Sequence, residues 1–148
     1  MNFISEYKDT PTAETTMPYT LYFDGASKGN PGRAGAGAVI YDPAGKEIWS
    51  RAAFVGSRET NNVAEYHGLI MGLEQALNLG LKGIKVYGDS KLVVEQVAGR
   101  WKVNAENLRP LCERARGLAV NIGGGITFEH VYREKNTRAD ALSNEALK

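Results

Sequence analysis

Asp24-Gly25-Ala26-Ser27-Lys28-Gly29-Asn30-Pro31-Gly32 is the stretch on which the reading of this chain turns. The apolar run before it, Tyr19-Thr20-Leu21-Tyr22-Phe23, has the aromatic and β-branched content of a buried strand. Glycine, asparagine and proline then break the run, so Asp24 is expected at a strand's end with a loop over residues 25–32. Three later carboxylates, Glu65, Asp89 and Asp140, lie beside breaks of their own. If folding gathers all four, they form one acidic site.

Working outward, Gly35-Ala36-Gly37-Ala38-Val39-Ile40-Tyr41 predicts a second strand, one face kept small by glycine and alanine. Asp42-Pro43-Ala44-Gly45 has the composition of a turn, and the alternation over residues 46–55 predicts a third strand. Short connections make these three an antiparallel meander. Thr60-Asn61-Asn62 opens a helix whose apolar residues recur every three or four positions through Leu77, and Gly80 ends it. A short strand over residues 84–87 is cut by Gly88-Asp89-Ser90, and a helix over residues 91–98 follows. Another helical stretch is expected over residues 104–121, with Pro110 in its first turns or else kinking it. After Gly123-Gly124-Gly125 come a fifth strand over residues 126–132 and a last helix over residues 136–147. A meander followed by strand–helix alternation predicts an α/β fold with a five-stranded mixed sheet, three antiparallel then two parallel strands, flanked by helices.

The 148 residues suit one domain able to bury a core without staples, and 43% hydrophobic with 24% charged residues is an ordinary globular balance. Residues 1–17 are polar, threonine-rich and contain Pro11, and are expected as a tail before a domain over residues 18–148. Net charge is +1, and removing the −2 of residues 1–16 leaves +3, so any nucleic-acid surface must be local. The single cysteine, Cys112, excludes an intramolecular disulfide and a cysteine-based zinc site. It fits a reducing compartment. No run approaches the ~18 apolar residues of a membrane span, and no targeting segment is recognisable, so a cytoplasmic setting is expected, with an organelle or the nucleus left open.

Singly, each carboxylate has a structural explanation. Asp24-Gly25 reads as a turn pair, Glu65 follows Asn62 at capping distance, Asp89 precedes Ser90 as an N-cap would, and Asp140 suits a helix's first turn. Together they carry more weight, because sites in open sheets form beyond the carboxyl ends of the parallel strands. Four gathered carboxylates repel one another unless cations are bound. Oxygen ligands without thiolates or clustered imidazoles favour Mg²⁺, with Mn²⁺ as a substitute. Paired ions about 4 Å apart suit phosphodiester hydrolysis.

Four motifs now fall into one pattern: Phe23-Asp24-Gly25-Ala26-Ser27 with Asn30-Pro31-Gly32, Thr60-Asn61-Asn62-Val63-Ala64-Glu65, Gly88-Asp89-Ser90, and Arg133 through Leu142. In order and spacing they resemble ribonuclease H type 1, the endonuclease that cuts the RNA strand of RNA–DNA hybrids. The resemblance covers the chain from about Pro18 onward. It implies the ribonuclease H-like fold, two Mg²⁺ ions held by Asp24, Glu65, Asp89 and Asp140, and products with 5′-phosphate and 3′-hydroxyl ends. Gly25, Ser27, Asn30, Asn61 and Asn62 match the family's hybrid-contact motifs, where amide groups meet 2′-hydroxyls and the minor groove. Arg100, Trp101, Arg133 and Arg138 complete the expected nucleic-acid-binding set, and a monomer is expected.

Two departures qualify the resemblance. The connection over residues 132–136 is short and lacks the histidine loop of many members, so Arg133 is expected to substitute in part. His130 and His67 are expected to be structural. The basic insertion that other members use to grip DNA is absent apart from Arg100-Trp101-Lys102, as in short-loop archaeal and plant-like members. Binding is then expected to be weaker, more salt-sensitive and less strictly selective for hybrid, with double-stranded RNA left open as a second substrate. A dinucleotide-binding reading of the glycines fails because Gly35-x-Gly37 is followed by Ile40 where that fingerprint needs glycine. A catalytically weak hybrid- or double-stranded-RNA-binding module is the alternative, and a role tethered to a polymerase is a third; four mutually repelling acids argue against a pure binder.

Overall fold

The computed structural model describes residues 18–148, and the expected tail, residues 1–17, lies outside the described residues. Strands β1 (Tyr19–Lys28), β2 (Gly32–Tyr41) and β3 (Glu47–Glu59) form the antiparallel meander. Helix α1 (Asn61–Asn78) leads to β4 (Ile84–Gly88), α2 (Lys91–Val97), α3 (Arg109–Ala119) and β5 (Ile126–His130), and α4 (Thr137–Glu145) follows a single 3₁₀ turn, Arg133–Lys135. The sheet order is β3-β2-β1-β4-β5, with β4 parallel to both β1 and β5. The expected five-stranded mixed sheet is therefore the observed one.

Period-two alternation along β1 and β2 directs Leu21, Phe23, Ala36, Ala38 and Ile40 into the core shared with α1. Helix α1 is buried over more of its circumference than a single apolar stripe predicts, since it packs on β1 and β2 and also against α3. Its start is defined by Thr60, whose Oγ1 accepts from Val63 N at 3.2 Å. Inside the α1–α2–α3 packing, the Tyr66 hydroxyl donates to Gln96 Oε1 at 2.7 Å, so a buried phenol is satisfied where two helices meet.

Helix and sheet approach each other unusually closely because glycine lines the contact. A Cβ on Gly25 would lie 2.3 Å from the Ala64 carbonyl carbon and the Glu65 nitrogen. A Cβ on Gly68 would lie 2.6 Å from the Asp24 oxygen. On the sheet's other face, a Cβ on Gly37 would meet the Ala139 oxygen at 2.6 Å, which is how α4 seats over β2. The small residues of β2 thus serve two helices.

Three sequence expectations are corrected. Residues 25–28 are not a loop: β1 runs on to Lys28, because Gly25 to Lys28 pair with Ala36 to Arg33 of β2. What ends near Asp24 is the pairing with β4, whose last partners are Phe23 and Gly88. Helix α3 starts at Arg109 rather than 104, placing Pro110 where its missing N–H has no helical acceptor to lose. Strand β5 stops at His130, with its partner β4, and the chain then turns through Arg133–Lys135. Among the described residues, no helix is long and apolar enough to cross a membrane.

The glycine contacts make a signed prediction. Gly68→Ala drives a methyl group into main chain and should destabilise the fold by about 1–3 kcal/mol. Gly117→Ala, on an exposed part of α3 with nothing within 4 Å, should stabilise it by about 0.5–1 kcal/mol. Urea unfolding of both variants checks the pair. Equal effects would show that the close α1–β1 approach is not under steric control.

Candidate active site

Where the parallel pairing of β1 with β4 ends, the two chains part, and Asp24 and Asp89 follow Phe23 and Gly88 at the gap. Glu65 comes to the same place from the first turns of α1, held there by the Gly25 contact. One carboxylate oxygen from each of Asp24, Glu65 and Asp89 lies within 4.8 Å of the others. Asp140, in the first turn of α4, lines the same cleft of about 510 Å³. The fold therefore brings all four sequence-predicted carboxylates to one opening, the first three as a tight cluster.

Burial makes this cluster electrostatically costly. Asp24 is 4% exposed and Glu65 7%. Desolvation, then the nearby Asp89, push the Asp24 carboxyl up to about 7, against a donation from Gly25 N to Asp24 Oδ1 at 2.8 Å. Glu65 is raised well above the usual carboxylate range, first by burial and then by the charges of Asp24 and Asp89. Glu65 Oε1 is buried and has no hydrogen-bond partner among the described residues. An unpartnered buried acceptor facing two acids fits a cation, and the all-oxygen donor set fits a hard divalent one. Asp24, Glu65 and Asp89 are the residues that could hold it, with Asp140 on the rim.

Of the remaining sequence candidates four line the cleft and five, Asn30 and Asn62 among them, do not. Gly25, Ser27, Asn61 and Arg133 line the cleft. Ser27 N donates to Asn61 Oδ1 at 2.8 Å, the Ser27 hydroxyl to Glu59 O at 2.7 Å, and Asn61 N to Asn30 Oδ1 at 2.9 Å. The β1–β2 hairpin end is thereby tied to the start of α1, where Asn62 follows half-buried. Arg100, Trp101 and Arg138 do not line the cleft. Arg100 pairs with Glu95, Trp101 borders a separate depression beside Arg109, and Arg138 forks onto Glu47 at 3.0 and 3.2 Å. Neither His67 nor His130 lines it; the His130 ring packs edge-on against Tyr132.

Sequence reasoning missed Asn136 and Asn144. Asn136 is 1% exposed and its Nδ2 donates to Phe23 O at 2.9 Å and to Asp89 Oδ2 at 3.3 Å. Asn144 Nδ2 donates to Asp140 Oδ1 at 3.3 Å. The signal available was spacing: both asparagines stand four residues from Asp140, one just before α4 and one near its end.

Comparison with known proteins agrees with this fold. Residues 22–146 match the family described as reverse transcriptase-like. The bifunctional protein Rv2228c of Mycobacterium tuberculosis is 45% identical over 131 residues, which is 88% of this chain and 36% of that protein. The chain thus spans about a third of that relative's length. The crystal structure of RNase H1 from Halobacterium salinarum superposes with a TM-score of 0.82 at 43% identity, covering 87% of this chain and 96% of that one. LC11-RNase H1, solved in complex with an RNA/DNA hybrid, gives 0.80 at 37% identity, with 86% and 95% covered.

The raised carboxyls set a pH dependence. Since Asp24 and Glu65 titrate higher in the folded chain than unfolded, the folded state holds more protons over the interval from about pH 4 upward. The cluster's stabilising contribution is therefore full below its unfolded values and is lost as pH rises through about 7. In EDTA, the melting temperature should fall more between pH 5 and pH 8 for the native chain than for Asp24→Asn, and saturating Mg²⁺ should offset the fall at pH 8. Parallel melting curves for the two proteins would show that Asp24 does not carry the effect.

Proposed function

The chain belongs to the ribonuclease H type 1 family, and from that premise we propose that its cleft hydrolyses the RNA strand of RNA–DNA hybrids. The observation that carries the proposal is the cluster of Asp24, Glu65 and Asp89, three acidic oxygens within 4.8 Å and one buried acceptor without a partner. The hybrid complex of LC11-RNase H1, a relative of the same fold, supports the choice of substrate.

In this reading Asp24, Glu65, Asp89 and Asp140 hold two Mg²⁺ ions, with Mn²⁺ able to replace them. When bound, such ions activate a water and stabilise the leaving oxygen of an in-line displacement, giving 5′-phosphate and 3′-hydroxyl ends. The chain's own contribution is positioning. Gly25 N holds one oxygen of Asp24, and the tied hairpin end offers Ser27, Asn30 and Asn61 beside the cleft. Arg133, exposed on the 3₁₀ turn at the rim, is placed to meet a phosphate where a histidine loop would otherwise stand. One chain supplies every carboxylate of the cleft, so the monomer is taken as the active form.

Arg100 and Arg138 are paired with carboxylates of their own, and among the described residues the cleft's lining holds two cations, Lys28 and Arg133. Affinity for a regular hybrid should be modest, and selectivity against double-stranded RNA incomplete.

Purified protein with Mg²⁺ should cut the RNA of an RNA–DNA hybrid. Asp89→Asn should lower turnover by at least about a thousandfold, the scale of losing a group needed in the transition state, while hybrid binding is largely kept. Side-by-side incubation with hybrid, double-stranded RNA and a DNA duplex holding one ribonucleotide, read on denaturing gels, checks both points. Hybrid that is bound yet intact in Mg²⁺ and in Mn²⁺ would replace the enzyme with a binding module.

A further inference from the structure

We propose that Asn136 is a positioning residue that fixes the carboxylate of Asp89, assisted by Asn144 acting on Asp140, so that α4 orients both of the less buried acids of the cleft. This inference rests on the nuclease reading only for its kinetic arm.

Asparagine at the start of a helix ordinarily caps that helix, its side-chain oxygen accepting from an N–H one turn on. Asn136 occupies the position before α4 and makes no such bond. Its amide turns away from the helix instead. Both donations go to the cleft's framework: one to the carbonyl of Phe23, the residue before Asp24, and one to Asp89 Oδ2. A single nitrogen thus links β1, the residue following β4 and the start of α4, which are three of the four elements that deliver carboxylates.

The remaining half of the amide points to the same conclusion. Asn136 Oδ1 is buried and has no partner among the described residues. Burying an amide with one side unsatisfied is unfavourable, and an apolar residue of similar size would avoid that cost. The residue is therefore poorly explained by stability alone. It is explained by the two donations, because a carboxylate that accepts from a fixed amide is held in one orientation, with its other oxygen left for the cleft.

Asn144 repeats the device one turn beyond Asp140. Its Nδ2 donates to Asp140 O at 2.9 Å and to Asp140 Oδ1 at 3.3 Å. Residues 140 and 144 lie along one face of α4, and Asn136 stands at its start. Asn144 is exposed, so solvent competes for its bonds and its effect should be the smaller one. Asp24 and Glu65 need no such help, since main chain and close packing already fix them.

The test reads metal binding without nucleic acid. Titration calorimetry of Mn²⁺ into the metal-free chain should show affinity lower by about 10- to 100-fold in Asn136→Ala, the usual scale for removing a hydrogen-bond partner of a ligand. In Asn144→Ala the loss should be severalfold at most. With hybrid at saturating Mg²⁺, Asn136→Ala should lower kcat and leave KM near its native value. Asn136→Ser, which keeps one hydroxyl donor on a shorter arm, should fall between native and alanine, and it replaces Asn136→Ala if that variant does not fold. Native Mn²⁺ affinity in either Asn136 variant, with only a lower melting temperature, would overturn the proposal and leave Asn136 as scaffold. A native chain that binds no Mn²⁺ would overturn it too. Mn²⁺ binding without hybrid cleavage would sink the nuclease reading alone and leave the positioning role standing on the binding data.

Discussion

The approach of α1 to β1 through glycine is the constraint on which the cleft depends. Residue 25 has no side chain, so the main chain at Ala64 and Glu65 can rest where a Cβ would stand 2.3 Å away. Any larger residue would lift the start of α1 off the strand and carry Glu65 away from Asp24. Gly68 repeats the contact one turn later against the Asp24 oxygen, and Gly72 does so against the Leu21 side chain. The helix is thereby seated along its length, and its first turns cannot tilt independently. A carboxylate on a helix and another on a strand then share a desolvated space, which raises both above their ordinary range. Packing, rather than sequence proximity, brings together the three acids that could hold a cation.

The sheet supplies the opening. Strand β1 is flanked by β2 on one side along its whole length and by β4 on the other only as far as Phe23. Beyond that residue one edge of β1 is unpaired, and Asp24 is the first residue there. Because the strand continues along β2, Asp24 sits in regular backbone held by its neighbours. A carboxylate in a loop could relax away from Glu65 and Asp89; one in a paired strand cannot. The firmness of the site follows from this correction to the expected strand end.

Much of the fold was legible because its signals are local. The small-residue face of β2, the alternation in β3, the three- and four-residue spacing of α1, and the stop at Gly80 each depend on local residues. The carboxylates were legible through the breaks they adjoin. The length of β1 was not, since Gly25 and Ser27 have weak strand preference and are held by pairing with Ala36 and Ala34. The part played by Asn136 was hidden for a similar reason. At a helix start asparagine has an ordinary local use, and only the folded chain shows its amide directed to residues 113 and 47 positions away. Arg138 is the converse case: a basic residue inside the motif, whose guanidinium pairs with Glu47 away from the cleft.

The same accounting of donors and acceptors says which atoms beside the cleft are left to meet a nucleic acid. Asn61 Oδ1 already accepts from Ser27 N, and Asn30 Oδ1 from Asn61 N. Gly25 N is engaged by Asp24 Oδ1, so it is not a free main-chain donor. Among the described residues both asparagines keep their Nδ2 groups unengaged, and these only donate. A rim of amide donors held in place by internal bonds complements acceptors: 2′-hydroxyl and phosphate oxygens and the N3 and O2 edges of the minor groove. On the proposed reading, such a rim distinguishes RNA from DNA by where an acceptor oxygen stands and not by base identity. It would accept any sequence, because each of these acceptors is present whatever the base.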